Sequence, residues 1–171
     1  CLAGPVVAAA VIWPRSLHYP LIKDSKQLSA AQRNEARQII LEHAISWSIG
    51  LASPDEIDQY NILQATFLAM HRAIDTLALT PDLLLIDGNR FKPYPFIPHE
   101  CIIKGDGKMY AIAAASILAK THRDELMQQL AGEHPYYSWH SNKGYPTLSH
   151  YKGILEYGTT AHHRRSFLKS L

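Results

Sequence analysis

Leu83-Leu84-Leu85-Ile86-Asp87-Gly88-Asn89 and, further along, Cys101-Ile102-Ile103-Lys104-Gly105-Asp106-Gly107 are built alike: a short apolar run, then an aspartate next to a glycine. Such runs closed by turn formers read as buried strands. In α/β sheets the carboxyl ends of strands carry the functional loops. Working outward from these two strands, the chain alternates helix and strand signals on both sides. Upstream, Leu63, Phe67, Met70, Ile74 and Leu77 recur every three or four residues, a long helix. It follows a start signal at Ser53-Pro54-Asp55-Glu56, with Ser as cap, Pro in the first turn and Glu at the capping-box position. Ile45 to Leu51 alternates apolar and small polar residues, the period of a strand with one buried face. Ser29 and Gln32 form a capping box for a helix running to about Ala44, and Val6 to Trp13, bounded by Gly4-Pro5 and Pro14, suits a strand buried on both faces. Downstream, Met109 to about Gly132 makes a second long helix, and Thr147 to Tyr157 a shorter one stopped by Gly158. The order predicts an α/β fold, a mixed sheet with helices packed on it.

The 171 residues suffice for one domain with its own core, and 47% apolar against 19% charged residues excludes a disordered chain. A net charge of +2 gives little bulk attraction for a polyanion, so any such partner must be read from local patches. Cys1 and Cys101 cannot make a disulfide framework and lie in no zinc-type spacing, which suits a reducing cytoplasm. The opening CLAGPVVAAAVIWP is too short to span a bilayer, so no membrane association is expected. A chain that begins with Cys inside an apolar run reads as cut at its front.

Asp87 and Asp106 share one placement, at strand ends that can meet on one sheet edge. Each, taken singly, serves equally as a turn residue. Two converging carboxylates repel, and a hard divalent cation relieves the repulsion, which points to Mg²⁺ or Mn²⁺. Two carboxylates alone rarely complete a two-metal phosphodiester site, so further acidic ligands are expected. Lys23-Asp24-Ser25-Lys26 puts two ammonium groups around a hydroxyl, suited to a phosphate or simply to a solvated loop. Lys120, His122 and Arg123 give the second long helix a basic turn. Lys143-Gly144-Tyr145-Pro146-Thr147 holds an aromatic ring before a helix start, either as a half-buried core Tyr or as a ring for a sugar or base. His162-His163-Arg164-Arg165-Ser166-Phe167 concentrates positive charge near the end of the chain.

In order and spacing, CLAGPVVAAAV, KDSKQLS, EIDQYNILQATFLAM, LLLIDGN, IIKGD, AAASILAKTHRDELM, SNKGYPT and HHRRSF together resemble the bacterial ribonuclease HII family across nearly the whole chain. The resemblance implies a ribonuclease H-like fold, a five-stranded mixed sheet flanked by helices with a helical C-terminal part. It implies hydrolysis of the RNA strand of RNA–DNA hybrids and nicking of duplex DNA on the 5′ side of an embedded ribonucleotide, by a cytoplasmic monomer. The family site uses four acidic residues and Mg²⁺ or Mn²⁺, with water attacking the phosphodiester in line. Asp87 and Asp106 match two of the four. The other two form an Asp-Glu pair in a DEAGRG-like segment, which in the family ends the first, central strand and precedes the stretch matching Cys1 to Val6. Without that strand, two sheet edges should lie open, and the chain as it stands competes with a second reading as a nucleic-acid-binding fragment that cannot cut. Tyr145 matches the residue that senses the 2′ hydroxyl, and Ser25, Lys26, Lys120, Lys143 and Arg164 match positions expected to contact nucleic acid.

Overall fold

The computed structural model describes residues 1–168. Strand β1 (Val6–Ile12) pairs antiparallel with β2 (Ser46–Ala52), with Ala9 opposite Ile49, and β3 (Leu84–Asp87) pairs parallel with β4 (His99–Ile102), with Asp87 opposite Ile102. Both pairing modes expected of a mixed sheet are present. Among the described residues they form two separate two-stranded sheets, so β1 and β3 each keep one unpaired edge.

Helix α1 (Ala30–His43) begins at the Ser29–Gln32 capping box, with both reciprocal hydrogen bonds formed. The start at Ser53 is likewise a complete capping box, but it opens only a short helix, α2 (Pro54–Tyr60). The chain then breaks at Asn61, which has a φ of 70° and caps a second helix, α3 (Ile62–Asp75), by accepting from the amides of Leu63 and Gln64. The break leaves the carboxylate of Asp58 accepting the backbone N–H groups of Arg165 and Ser166 at 2.8 and 3.0 Å, tying α2 to the chain's end. Helix α4 (Tyr110–Glu133) is the longest element; the one-turn α5 (Trp139–Asn142) and α6 (Leu148–Tyr157) follow. No helix among the described residues is long and apolar enough to cross a membrane.

β1 alternates strictly: Val6 and Ala8 pack on the cluster built around Ile57, Ala65 and Ala69, and Ala9 and Val11 pack on the cluster of α1 and α4. Both faces are covered, as the apolar run predicts, yet all seven residues stay partly exposed. A strand covered on two faces and paired on one side still shows its other edge to solvent.

β2 has the one buried face that its alternation predicts. Its fully buried face is the small one, Ser46, Ser48, Gly50 and Ala52, while Trp47 and Leu51 are 44% and 38% exposed. The cause is the closeness of α3. The Ser48 hydroxyl donates to the Ala73 carbonyl, and a Cβ on Gly50 would sit 2.0 Å from the Ala69 oxygen.

α4 joins two cores. Its first half supplies Ala113, Ala114, Ile117 and Leu118 to the cluster shared with α1, and its second half supplies Met127 and Ala131 to a cluster with Leu2, Tyr137, Trp139 and Ile154. The first half buries a broad face that includes Ile112 and Ala114, and the second half buries only Met127 and Ala131.

Candidate active site and its basic surroundings

Because β3 and β4 run parallel and end together, their following turns share one edge. The Gly88 amide donates to the Ile102 carbonyl at 3.0 Å, and the Gly105 amide donates to the Asp87 carboxylate at 2.9 Å. Lys104 is left-handed (φ 55°, ψ 44°), which turns the chain so that the residue preceding Asp106 caps Asp87. Asp87 is exposed; Asp106 is 9% exposed and borders a surface cleft with Pro20, Lys23, Lys108 and Tyr110. Among the described residues neither carboxylate forms a salt bridge. Two carboxylates on neighbouring turns, neither held in a salt bridge among the described residues, are oxygen donors of the kind a hard divalent cation takes.

The other residues singled out in the sequence are placed very differently from one another. Ser25 is buried with its hydroxyl 3.1 Å from that of Ser116, so it pins its loop to α4; Lys26 beside it is exposed. Lys120 is paired with Asp124 one turn along α4 at 2.7 Å. Lys143 donates to the Gln128 side chain and the His140 carbonyl.

Tyr145 is 50% exposed, its ring 5.8 Å from the Arg123 guanidinium. Its backbone is fixed at both ends: its amide donates to the Asn142 carbonyl, and its carbonyl takes the Nδ1–H of His150. Gly144 before it has a φ of 82°, and a Cβ there would lie 2.6 Å from the Ala3 carbonyl oxygen, so only glycine allows this approach.

Arg164 is built into the interior. It is 5% exposed, and its guanidinium donates to the carbonyls of Gly4 and Pro5 at 2.9 and 3.3 Å. Burial, and then the charge of Arg123, pull it down to about 10, still charged at neutral pH. Here it fastens the lead-in to β1. Arg123 joins it, donating to the carbonyls of Ala3, Pro5 and Lys143. Composition shows a basic tail; only the fold shows that Arg164 of that tail, with Arg123 of α4, solvates backbone carbonyls.

A second network was not readable from the sequence. The Trp139 indole donates to His150 Nε2 at 3.0 Å, which lies 3.2 Å from His163 Nε2, and His163 Nδ1 accepts the Thr160 amide. One proton assignment satisfies all of these: His150 carries its proton on Nδ1 and His163 on Nε2. Both rings are therefore neutral, and burial pushes both below the usual imidazole range, His163 to about 4.

The molecule has the ribonuclease H-like fold of the solved structures that it resembles. It superposes on ribonuclease H2 from Pyrococcus horikoshii with a TM-score of 0.79, covering 96% of this chain and 87% of that one at 24% identity. The ribonuclease HII of Archaeoglobus fulgidus, solved in complex with PCNA, gives 0.74 over 96% and 88% at 23% identity. The family model described as Ribonuclease HII matches residues 1–170, and the chain belongs to that family, one of endoribonucleases dependent on divalent metal. It is 57% identical to ribonuclease HII of Bacteroides thetaiotaomicron over 98% of its own length and 84% of the relative's. To that of Chlorobaculum tepidum it is 51% identical, over 97% and 83%.

Proposed function

We propose that this protein cuts the RNA strand of RNA–DNA hybrids and nicks duplex DNA on the 5′ side of embedded ribonucleotides, with Asp87 and Asp106 holding Mg²⁺ or Mn²⁺. The observation that carries the reading is the placement of the pair: Asp87 closes β3 and accepts the amide of Gly105, the residue before Asp106 in the turn after the parallel β4, and among the described residues neither carboxylate forms a salt bridge. Bound there, a divalent ion would supply positive charge against the scissile phosphate. The protein's own contribution is placement. The Gly105 N–H occupies one oxygen of Asp87 and fixes its carboxylate plane, leaving the other oxygen for a ligand. Tyr145, rigid and half-exposed, is suited to lie against the ribose and reject a deoxy sugar through its hydroxyl. Exposed Lys26, like exposed Lys23 of the same loop, is suited to meet a phosphate.

The test uses the chain carrying the family's Asp-Glu segment ahead of Cys1. Asp87→Asn removes charge at nearly constant shape, so it should fold as the parent and lose Mg²⁺-dependent cleavage of a duplex holding one ribonucleotide. Turnover near that of the parent would overturn the assignment. Running the 171-residue chain alongside distinguishes a cutting enzyme from one that binds the hybrid without cutting it.

A further inference from the structure

On the far side of the C-terminal core, Glu133, His134 and His162 form a cluster whose ligand atoms all lie within 4.8 Å of one another. We propose that these three side chains form a second metal site, selective for a borderline divalent ion of the zinc type, which clips the loop after α6 to the end of α4.

The backbone sets the donors in place. Glu133 is the last residue of α4 and His134 its cap, with the His134 amide still donating to the Leu130 carbonyl at 2.8 Å. His162 comes from the other side, fixed by its carbonyl accepting the Gly4 amide at 2.8 Å and its amide donating to Thr160 Oγ1. Two of the donors are therefore set by a helix end and a third by a hydrogen-bonded loop, before any ion arrives. The rings are also held. His134 and His162 lie 5.3 Å apart, tilted at 58°, and both meet the buried Trp139 ring edge-on, at 5.7 and 6.3 Å.

The donor set decides the ion. Two imidazoles and one carboxylate suit Zn²⁺, Ni²⁺ or Cu²⁺ and are poor for Mg²⁺, which prefers oxygen. Glu133 is exposed, both histidines are half-buried, and among the described residues Glu133 makes no salt bridge, so a carboxylate oxygen is free and the fourth position opens to water. The cluster shares no residue with the Asp87–Asp106 pair, and its occupation does not depend on the proposed nuclease reading.

The experiment is a Zn²⁺ titration of the full chain with a chromophoric competitor, in excess Mg²⁺ so that the oxygen site is occupied, together with melting curves. One Zn²⁺ should bind, and at about a hundredfold excess over its Kd the Tm should rise by roughly 5–10 °C. His162→Gln and His134→Gln should each lose that binding, and exposed Glu133→Gln should weaken it while leaving the metal-free Tm unchanged. Asp87→Asn should keep it. Zinc binding indifferent to all three substitutions, or no stoichiometric binding at micromolar Zn²⁺, would overturn the site. Should a histidine variant misfold, Glu133→Gln decides the question alone.

Discussion

Replacing Arg164 with Met would leave the Gly4 carbonyl without its donor, whereas the Pro5 carbonyl keeps Arg123. A buried acceptor left unsatisfied costs about 1–3 kcal/mol, so Arg164→Met should lower the urea-unfolding free energy by that much. It should leave the salt dependence of hybrid binding as it is, since removing a residue that neutralises a phosphate flattens the slope of log K against log salt by about 0.9. A flattened slope at unchanged stability would return Arg164 to the phosphate-binding group. Tyr145 should behave in the opposite way. Its ring is half-exposed, so Tyr145→Ala takes little from the core, and the Asn142 and His150 hydrogen bonds to its backbone survive. Removing a stacking ring worth about 1–3 kcal/mol predicts cleavage at a single ribonucleotide slower by roughly 10- to 100-fold, with Tm nearly unchanged. A fall in Tm matched by an equal weakening of hybrid binding would mark the ring as a packing residue.

At the scale of elements, the packing of β2 on α3 rests on the absence of side chains. A Cβ on Gly50 would meet the Ala69 oxygen at 2.0 Å and the Ala73 nitrogen at 2.5 Å, both backbone atoms that cannot swing away. Gly50→Ala should therefore cost about 3 kcal/mol or more, measured by urea unfolding, and a cost below about 1 kcal/mol would show that the helix can slide outward. The sequence could not announce this close approach. Alternation in Ile45 to Leu51 marks a strand with one buried face, but it does not say which face, and that choice was made by how closely α3 approaches. The same limit applies at Asn61. The apolar spacing from Leu63 onward reveals α3, and the capping box at Ser53 reveals α2, whereas the break between them depends on Asn61 reaching the Leu63 and Gln64 amides. Caps and periodicity are local and were readable; distances between elements are not.

For the whole molecule, the two short strands before Asp87 and Asp106 were readable from their apolar runs closed by turn residues, whereas their parallel pairing was not. The distribution of the described strands over two sheets, and the use of Arg123, Arg164, His150 and His163 as internal fasteners, depend on neighbours far apart in the chain or on burial alone. The histidine fasteners carry a pH dependence. In the Trp139–His150–His163 chain each ring nitrogen already has a partner, so a proton added to His163 Nδ1 would face the Thr160 N–H, and one added to His150 Nε2 would face two donors. Folding thus holds His163 at about 4, against 6.5 for a free imidazole. Below pH 6.5 the unfolded chain binds the proton and the folded chain does not, so stability is fully present above about 6.5 and declines as the pH falls toward 4. His163 alone accounts for a decline on the order of 3 kcal/mol by about pH 4, and the lowered His150 acts in the same direction. Glu56 and Asp58, whose hydrogen bonds hold them below the usual carboxylate range, add their own decline only nearer about pH 4, so the interval from about 6.5 to 5 belongs to the histidines. Urea unfolding at about pH 7.5, 6.5, 5.5 and 4.5 should show the midpoint falling through that interval with an unchanged slope. A midpoint constant from about pH 7.5 to 5.5 would mean that the buried rings accept their protons without opening the C-terminal core.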